Sequence, residues 1–140
     1  MCYSVEASLT AWVISYAIAI YLFYRNQNYD RWNAAFIISF STIQLVEAGL
    51  WLTNPKNPNS DSSELNSLLT KILLIVLLCQ PLVQSFMGYK NTESDILFYM
   101  SIVFLLILVY GFLKITSNAS LEGHGVTFNS SVGENGHLVW

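Results

Sequence analysis

Apolar residues in this chain come in four long blocks separated by short polar connectors. Each block is about 20 residues long, and at about 1.5 Å per residue a helix of that length crosses the hydrocarbon core of a bilayer. The pattern predicts an all-α, polytopic transmembrane bundle with spans at about 7–24, 31–52, 65–89 and 95–114. Residues 115–140 are polar and glycine-rich, which predicts an extramembrane tail or a link to further spans.

The second span carries two polar side chains, Gln44 and Glu47, inside its apolar run. At about 100° per residue they share one sector of the helix with Asn33, Phe40 and Trp51. A carboxylate that faces lipid is costly. This stripe is therefore predicted to face partner helices or water.

Two hypotheses for Glu47 stay open at this point. In the first, Glu47 is a proton carrier, a cation ligand or a solute-binding carboxylate, with Gln44 and Trp51 beside it. In the second, Glu47 is an interhelical anchor that binds Gln80, Gln84 or a backbone carbonyl freed near Pro81; the two glutamines lie one turn apart on the third span. Because the second and third spans run antiparallel, Gln80 is expected nearer the middle of the membrane than Glu47.

A different arrangement of acidic and histidine side chains predicts metal chemistry. Glu6 begins the first span at a depth similar to that of Glu47, and His124 and His137 lie in the tail on the same side of the membrane. These four side chains form a candidate divalent-metal site if the tail folds back over the bundle. Exposed histidines in a polar tail are the simpler interpretation, and the sequence implies no other cofactor.

Small residues recur at every fourth position of the first span, at Ala7, Ala11, Ser15 and Ala19. This spacing is typical of a helix face that another helix approaches closely. The same stripe is also a candidate contact for a homo-oligomer.

Composition supports the membrane class and excludes one class of partner. The chain is 54% hydrophobic and only 11% charged, so its main predicted partner is the lipid bilayer. A formal charge of −3 without basic clusters argues against nucleic-acid binding. The well-specified enzyme signatures are also absent from the sequence, including the phosphate-binding loop, the nucleophile elbow and the zinc-protease motif.

The predicted topology places both termini on one side of the membrane. The first connector, with Arg25 and Arg31 at its ends, lies on the other side. The positive-inside rule favours that connector as cytoplasmic and both termini as extracytoplasmic.

The opening residues Met1 to Ser8 match the pattern Met-Cys-x-Ser-x-Glu-Ala-Ser. This start is similar to that of an uncharacterised family of multi-span membrane proteins with about seven spans and no established activity. The likeness extends over further short motifs, namely Gln44, Glu47 and Trp51, then Gln80-Pro81, and the closing Gly136-His137-Leu138-Val139-Trp140. The resemblance implies that the polar signature positions are Glu6, Glu47, Gln80 and His137. It also implies that the chain covers only the N-terminal four spans of such a protein.

Three functional hypotheses follow. The first is an integral membrane protein that binds or passes a small polar solute, ion or proton at the Glu47 and Gln44 face. The second is a structural or assembly protein whose polar residues hold helices together. The third is a membrane-embedded, metal-dependent hydrolase built on Glu6, Glu47, His124 and His137.

Overall fold

The computed structural model describes residues 4–53, 60–119, 128–133, 136 and 138–139. Over these residues the chain forms four helices followed by a short two-stranded sheet. The helices are α1 (Val5–Arg25), α2 (Asp30–Leu52), α3 (Ser60–Thr92) and α4 (Asp95–Ala119), and the strands are β1 (Ser131–Val132) and β2 (Leu138–Val139).

All four helices are long and apolar enough to cross a membrane. The predicted all-α, four-span class is therefore confirmed, and the chain is an integral membrane protein. The helices run past the predicted span ends: α3 extends to Thr92, and α4 continues to Ala119 beyond the predicted end at Lys114. Hydrophobicity marks only the embedded part of a helix, whereas helical hydrogen bonding continues into polar turns.

The helices pack mainly against their neighbours in sequence, α1 against α2, α2 against α3 and α3 against α4. They form an open bundle in which α2 and α3 are central and α1 and α4 flank them. Helix α4 illustrates the flanking position, since a single stripe of it is buried or half-buried and the rest is exposed apolar surface suited to lipid. That stripe consists of Leu97, Ser101, Phe104, Leu108, Gly111 and Ile115.

The small-residue stripe of α1 is used within the chain. Ala19 is fully buried, Ala11 and Ser15 are half-buried, and Ala7 is exposed. Because α1 packs mainly on α2, the small side chains lie where the two helices approach closely. A homo-oligomeric contact through this stripe stays a prediction.

An ion pair closes the turn between α1 and α2. Arg25 Nη2 lies 2.6 Å from Asp30 Oδ1, and Arg25 Nε donates to Asp30 Oδ2 at 2.8 Å. The same Oδ2 accepts from the backbone N–H of Gln27 at 2.8 Å. Asn26 and Asn28 both adopt positive φ, a conformation that asparagine tolerates better than most residues. This turn sets the antiparallel pairing of α1 and α2.

Candidate functional site at Glu47

Glu47 is almost completely buried, with 1% of its surface exposed. Its neighbours on the same side of α2 are Ile43, one turn before it, and Leu50, one turn after it. Both belong to the main hydrophobic cluster of the described residues, together with Leu73 of α3. An ionisable side chain therefore lies inside an apolar core within a membrane-spanning helix.

Contacts made by α2 show which way Glu47 faces. The Trp32 indole donates to Gln84 of α3, and the Ser39 backbone carbonyl accepts from Gln80 of α3, so both residues lie on the side of α2 that faces α3. On the opposite side, the small residues Ala34, Ser41 and Ala48 are buried, which is consistent with the close approach of α1. At about 100° per residue Glu47 lies between these two directions, on one broad face of the bundle.

The C-terminal tail covers this face near Glu47. Leu138 of β2 is 1% exposed and belongs to the same cluster as Ile43 and Leu50. Val132 of β1 and Trp51 of α2 pack against that cluster. The tail therefore folds back onto the bundle, which the sequence does not predict.

The tail hairpin is small and held by few backbone contacts. Ser131 pairs with Val139 and Val132 with Leu138 in antiparallel register. Gly136 adopts φ 74°, and its N–H donates to the carbonyl of Gly133 at 2.9 Å, closing the turn.

A buried hydrogen-bond network fastens the tail to α3. Asn66 Oδ1 accepts from the Ser130 N–H at 2.7 Å, and Asn66 Nδ2 donates to the Ser130 carbonyl at 3.1 Å. The hydroxyls of Thr70 and Ser130 lie 2.7 Å apart. Asn66 Nδ2 also donates to Thr53 Oγ1 at 3.1 Å, which connects the end of α2. One asparagine therefore joins α2, α3 and the tail.

Gln44 and Trp51 lie beside Glu47 on α2, as predicted, and both are half-buried. All three side chains have interaction partners. The predicted stripe does not turn inward along its whole length, because Asn33 and Phe40 are exposed. Among the described residues, those of the tail pack only against the part of this stripe that is near Glu47.

The two glutamines of α3 bind elsewhere. Gln80 is 7% exposed, and its Nε2 donates to the Ser39 carbonyl at 3.3 Å. Gln84 Oε1 accepts from Trp32 Nε1 at 3.1 Å. Ser39 lies about 12 Å along the helix axis from Glu47 and Trp32 lies farther still, so neither glutamine pairs with Glu47. Because Gln80 contacts α2 at Ser39, it lies at a different membrane depth from Glu47, as expected from the sequence.

The candidate metal ligands are only partly described. Glu6 is exposed in the first turn of α1, whereas Glu47 is buried. His124 and His137 lie outside the described residues. Among the residues that are described, no group of three or more acidic, histidine or cysteine side chains is arranged to hold a metal ion.

The sequence does not predict which residues fasten the tail. Asn66 and Thr70 lie in the first turns of the third span, where polar residues are common, and Ser130 lies in a polar tail. Their spacing carries no signal, since Asn66 and Ser130 are far apart in sequence. Only the fold brings them together.

Comparisons with known proteins add no functional assignment. No family model, no curated protein and no solved structure matches this chain. The feature of the chain that bears most directly on function is a buried carboxylate in a membrane-spanning helix, under a hydrogen-bonded tail.

Proposed function

We propose that this membrane protein binds or passes a proton or small cation at Glu47, with Gln44 and Trp51 flanking the carboxylate. The observation that carries the proposal is the 1% exposure of Glu47 inside a membrane-spanning helix. Burying an ionisable group at this depth costs several kcal/mol unless it is neutralised or paired. The interaction partner of Glu47 within the protein offsets part of this cost. Uptake of a proton or small cation neutralises the carboxylate and changes the charge of the site.

The tail gives the site a cover on its extramembrane side. Leu138 packs in the cluster around Glu47, and Asn66 holds the neighbouring Ser130. Access of an ion to Glu47 from that side therefore involves movement of the tail. In this proposal, the Asn66 network sets how readily the cover opens.

Proton uptake in proteoliposomes tests the proposal. The protein is reconstituted with the pH indicator pyranine inside, and a valinomycin-induced potassium potential drives protons inward. We expect the wild-type protein to change the internal pH faster than empty liposomes do. Glu47→Gln is expected to abolish the protein-dependent rate, because glutamine preserves size and hydrogen bonding but carries no exchangeable charge.

Glu64→Gln is the matched control, since Glu64 is exposed at the start of α3 and is expected to leave the rate unchanged. Uptake of ²²Na⁺ by the same liposomes tests the cation. A Glu47→Gln protein that matches the wild type in both assays, or a wild type that matches empty liposomes in both, contradicts the proposal.

A structural or assembly role is the second candidate. It is supported by two polar contacts between α2 and α3, Gln80 to the Ser39 carbonyl and Trp32 to Gln84. These bonds hold helices together in a membrane, where apolar surfaces alone provide little driving force for association. This candidate predicts that Glu47→Gln preserves both fold and function.

The remaining hypotheses stay predictions. The metal-dependent hydrolase requires His124 and His137 to approach Glu6 and Glu47. The resemblance to a family of longer multi-span proteins implies that Glu6, Glu47, Gln80 and His137 are its signature positions. The proposed orientation keeps the Arg25–Arg31 connector cytoplasmic and the tail extracytoplasmic.

A further inference from the structure

A second site lies at the other end of α2, remote from Glu47. A cavity of about 370 Å³ is lined by Tyr29, Trp32, Asn33, Phe36 and Gln84. This volume is in the range of small-molecule sites. Its walls are three aromatic rings and two side-chain amides, a mixture that suits an amphipathic ligand.

The orientation of the Gln84 amide is determined by Trp32. Because an indole Nε1 only donates, it must meet the amide oxygen of Gln84, and the two atoms lie 3.1 Å apart. The amide nitrogen of Gln84 therefore points away from the Trp32 indole. Gln84 Nε2 is buried and has no hydrogen-bond partner among the described residues. A buried donor left in this state costs about 1–3 kcal/mol, so an acceptor at the site is favoured.

The depth of the cavity favours one class of acceptor. Tyr29 immediately precedes α2, and Trp32 lies in its first turn, next to the polar turn that carries the Arg25–Asp30 ion pair. Tyrosine and tryptophan at such positions mark the membrane–water interface. At that level, the hydrogen-bond acceptors of a bilayer are the ester carbonyls of its glycerolipids.

The adjoining surface of α2 is suited to a hydrocarbon chain. Phe36 and Phe40 are 41% and 48% exposed, and their rings lie 4.6 Å apart. They continue from the cavity toward the middle of the membrane along one side of the helix. Asn33, also exposed, lies at the mouth and offers a second amide.

We propose that this cavity is a glycerolipid site, in which the side chains that cover Gln84 Nε2 shift, an ester carbonyl accepts a hydrogen bond from this nitrogen, and the acyl chain lies along Phe36 and Phe40. Tyr29 and Trp32 flank the glycerol region. The site is independent of the Glu47 proposal, because it uses the opposite end of α2.

Native mass spectrometry with a mixed pair of lipids tests this inference. The protein receives equimolar dioleoyl phosphatidylcholine and its diether analogue, which has the same headgroup and chains but no ester carbonyls. The two complexes differ in mass. We expect about a fivefold preference of the wild type for the diester, the ratio that one net hydrogen bond produces.

Gln84→Met removes the donor while keeping a similar volume, and it is made together with Trp32→Phe because it also removes the oxygen that accepts from Trp32 Nε1. The ratio is then expected to fall close to one. Gln27→Met makes the same substitution at an exposed residue of the neighbouring turn and is expected to keep the wild-type preference. Phe36→Ala removes a partly exposed ring and is expected to lower total lipid occupancy, even if the double variant fails to fold.

Three results overturn the inference. One is equal binding of both lipids by the wild type. Another is a diester preference that survives in the folded double variant. The third is the appearance of protein dimers in place of lipid complexes, with occupancy restored by Phe36→Ala, because a second copy of the chain would then cover the face.

Discussion

Asn66 shows how one buried amide organises three separate parts of the chain. Its oxygen and nitrogen meet the N–H and carbonyl of Ser130, and its nitrogen also reaches Thr53. Both amide groups are therefore satisfied inside the protein. Asn66 binds the backbone N–H and carbonyl of Ser130. These two bonds therefore do not depend on the side chains of the tail.

Replacing this residue tests how the tail is held. Asn66→Ala leaves the buried N–H and carbonyl of Ser130 without these bonds, and we expect a loss of about 2–4 kcal/mol in unfolding free energy. The loss is measured by sodium dodecyl sulfate titration followed by circular dichroism. In a Cys2→Ser, Cys79→Ser background, Val132→Cys should also react faster with a maleimide when Asn66 is absent.

Asn91→Ala is the control for this change, because Asn91 is exposed near the end of α3. It should alter neither stability nor labelling. If Asn66→Ala behaves like Asn91→Ala, the network does not hold the tail.

At the scale of whole elements, two glycines on α2 and α3 show how closely neighbouring helices approach. A Cβ at Gly88 of α3 would lie 3.0 Å from the Trp32 ring of α2 and 3.0 Å from Leu97 of α4. A Cβ at Gly49 would lie 3.3 Å from the end of the Leu69 side chain, which is free to shift. Gly88 therefore lies where α2, α3 and α4 meet. A residue without a Cβ is required there, because a Cβ would crowd both neighbouring helices.

Alanine substitutions at Gly49 and Gly88 are expected to change stability in different directions. Exchanging a helical glycine for alanine is favourable by about 1 kcal/mol where space permits. We expect Gly49→Ala to leave stability unchanged or raised. Gly88→Ala should lower it by about 1–2 kcal/mol, because the Trp32 ring cannot move without losing its bond to Gln84.

Thermal unfolding in detergent measures both variants against the wild type. Equal effects of the two substitutions would mean that Gly88 is not a close three-helix contact.

For the molecule as a whole, four membrane-spanning helices require the two helix–helix turns at Gln27 and Glu93 to share one side. We expect the tail to lie on the other side. The positive-inside rule then favours the turns as cytoplasmic.

Cysteine labelling tests both statements. In the Cys2→Ser, Cys79→Ser background, single cysteines are placed by Gln27→Cys, Glu93→Cys and Ser131→Cys, all at exposed residues. An impermeant maleimide is expected to label only Ser131→Cys in intact cells, and all three after permeabilisation. The opposite pattern would reverse the orientation, and equal labelling of Gln27→Cys and Ser131→Cys in intact cells would contradict four spans.

The sequence by itself determined the class, the number of spans and the inward position of Glu47. These follow from local quantities, namely the length of apolar blocks and the cost of a carboxylate in lipid. It did not predict the partners of Gln80 and Gln84, because pairing across helices depends on their axial register. It also did not predict that Leu138 and Ser130 return to the bundle, since contacts between distant residues depend on shape and leave no periodic pattern. Tertiary structure alone decided what covers Glu47 and left Gln84 Nε2 as a buried donor.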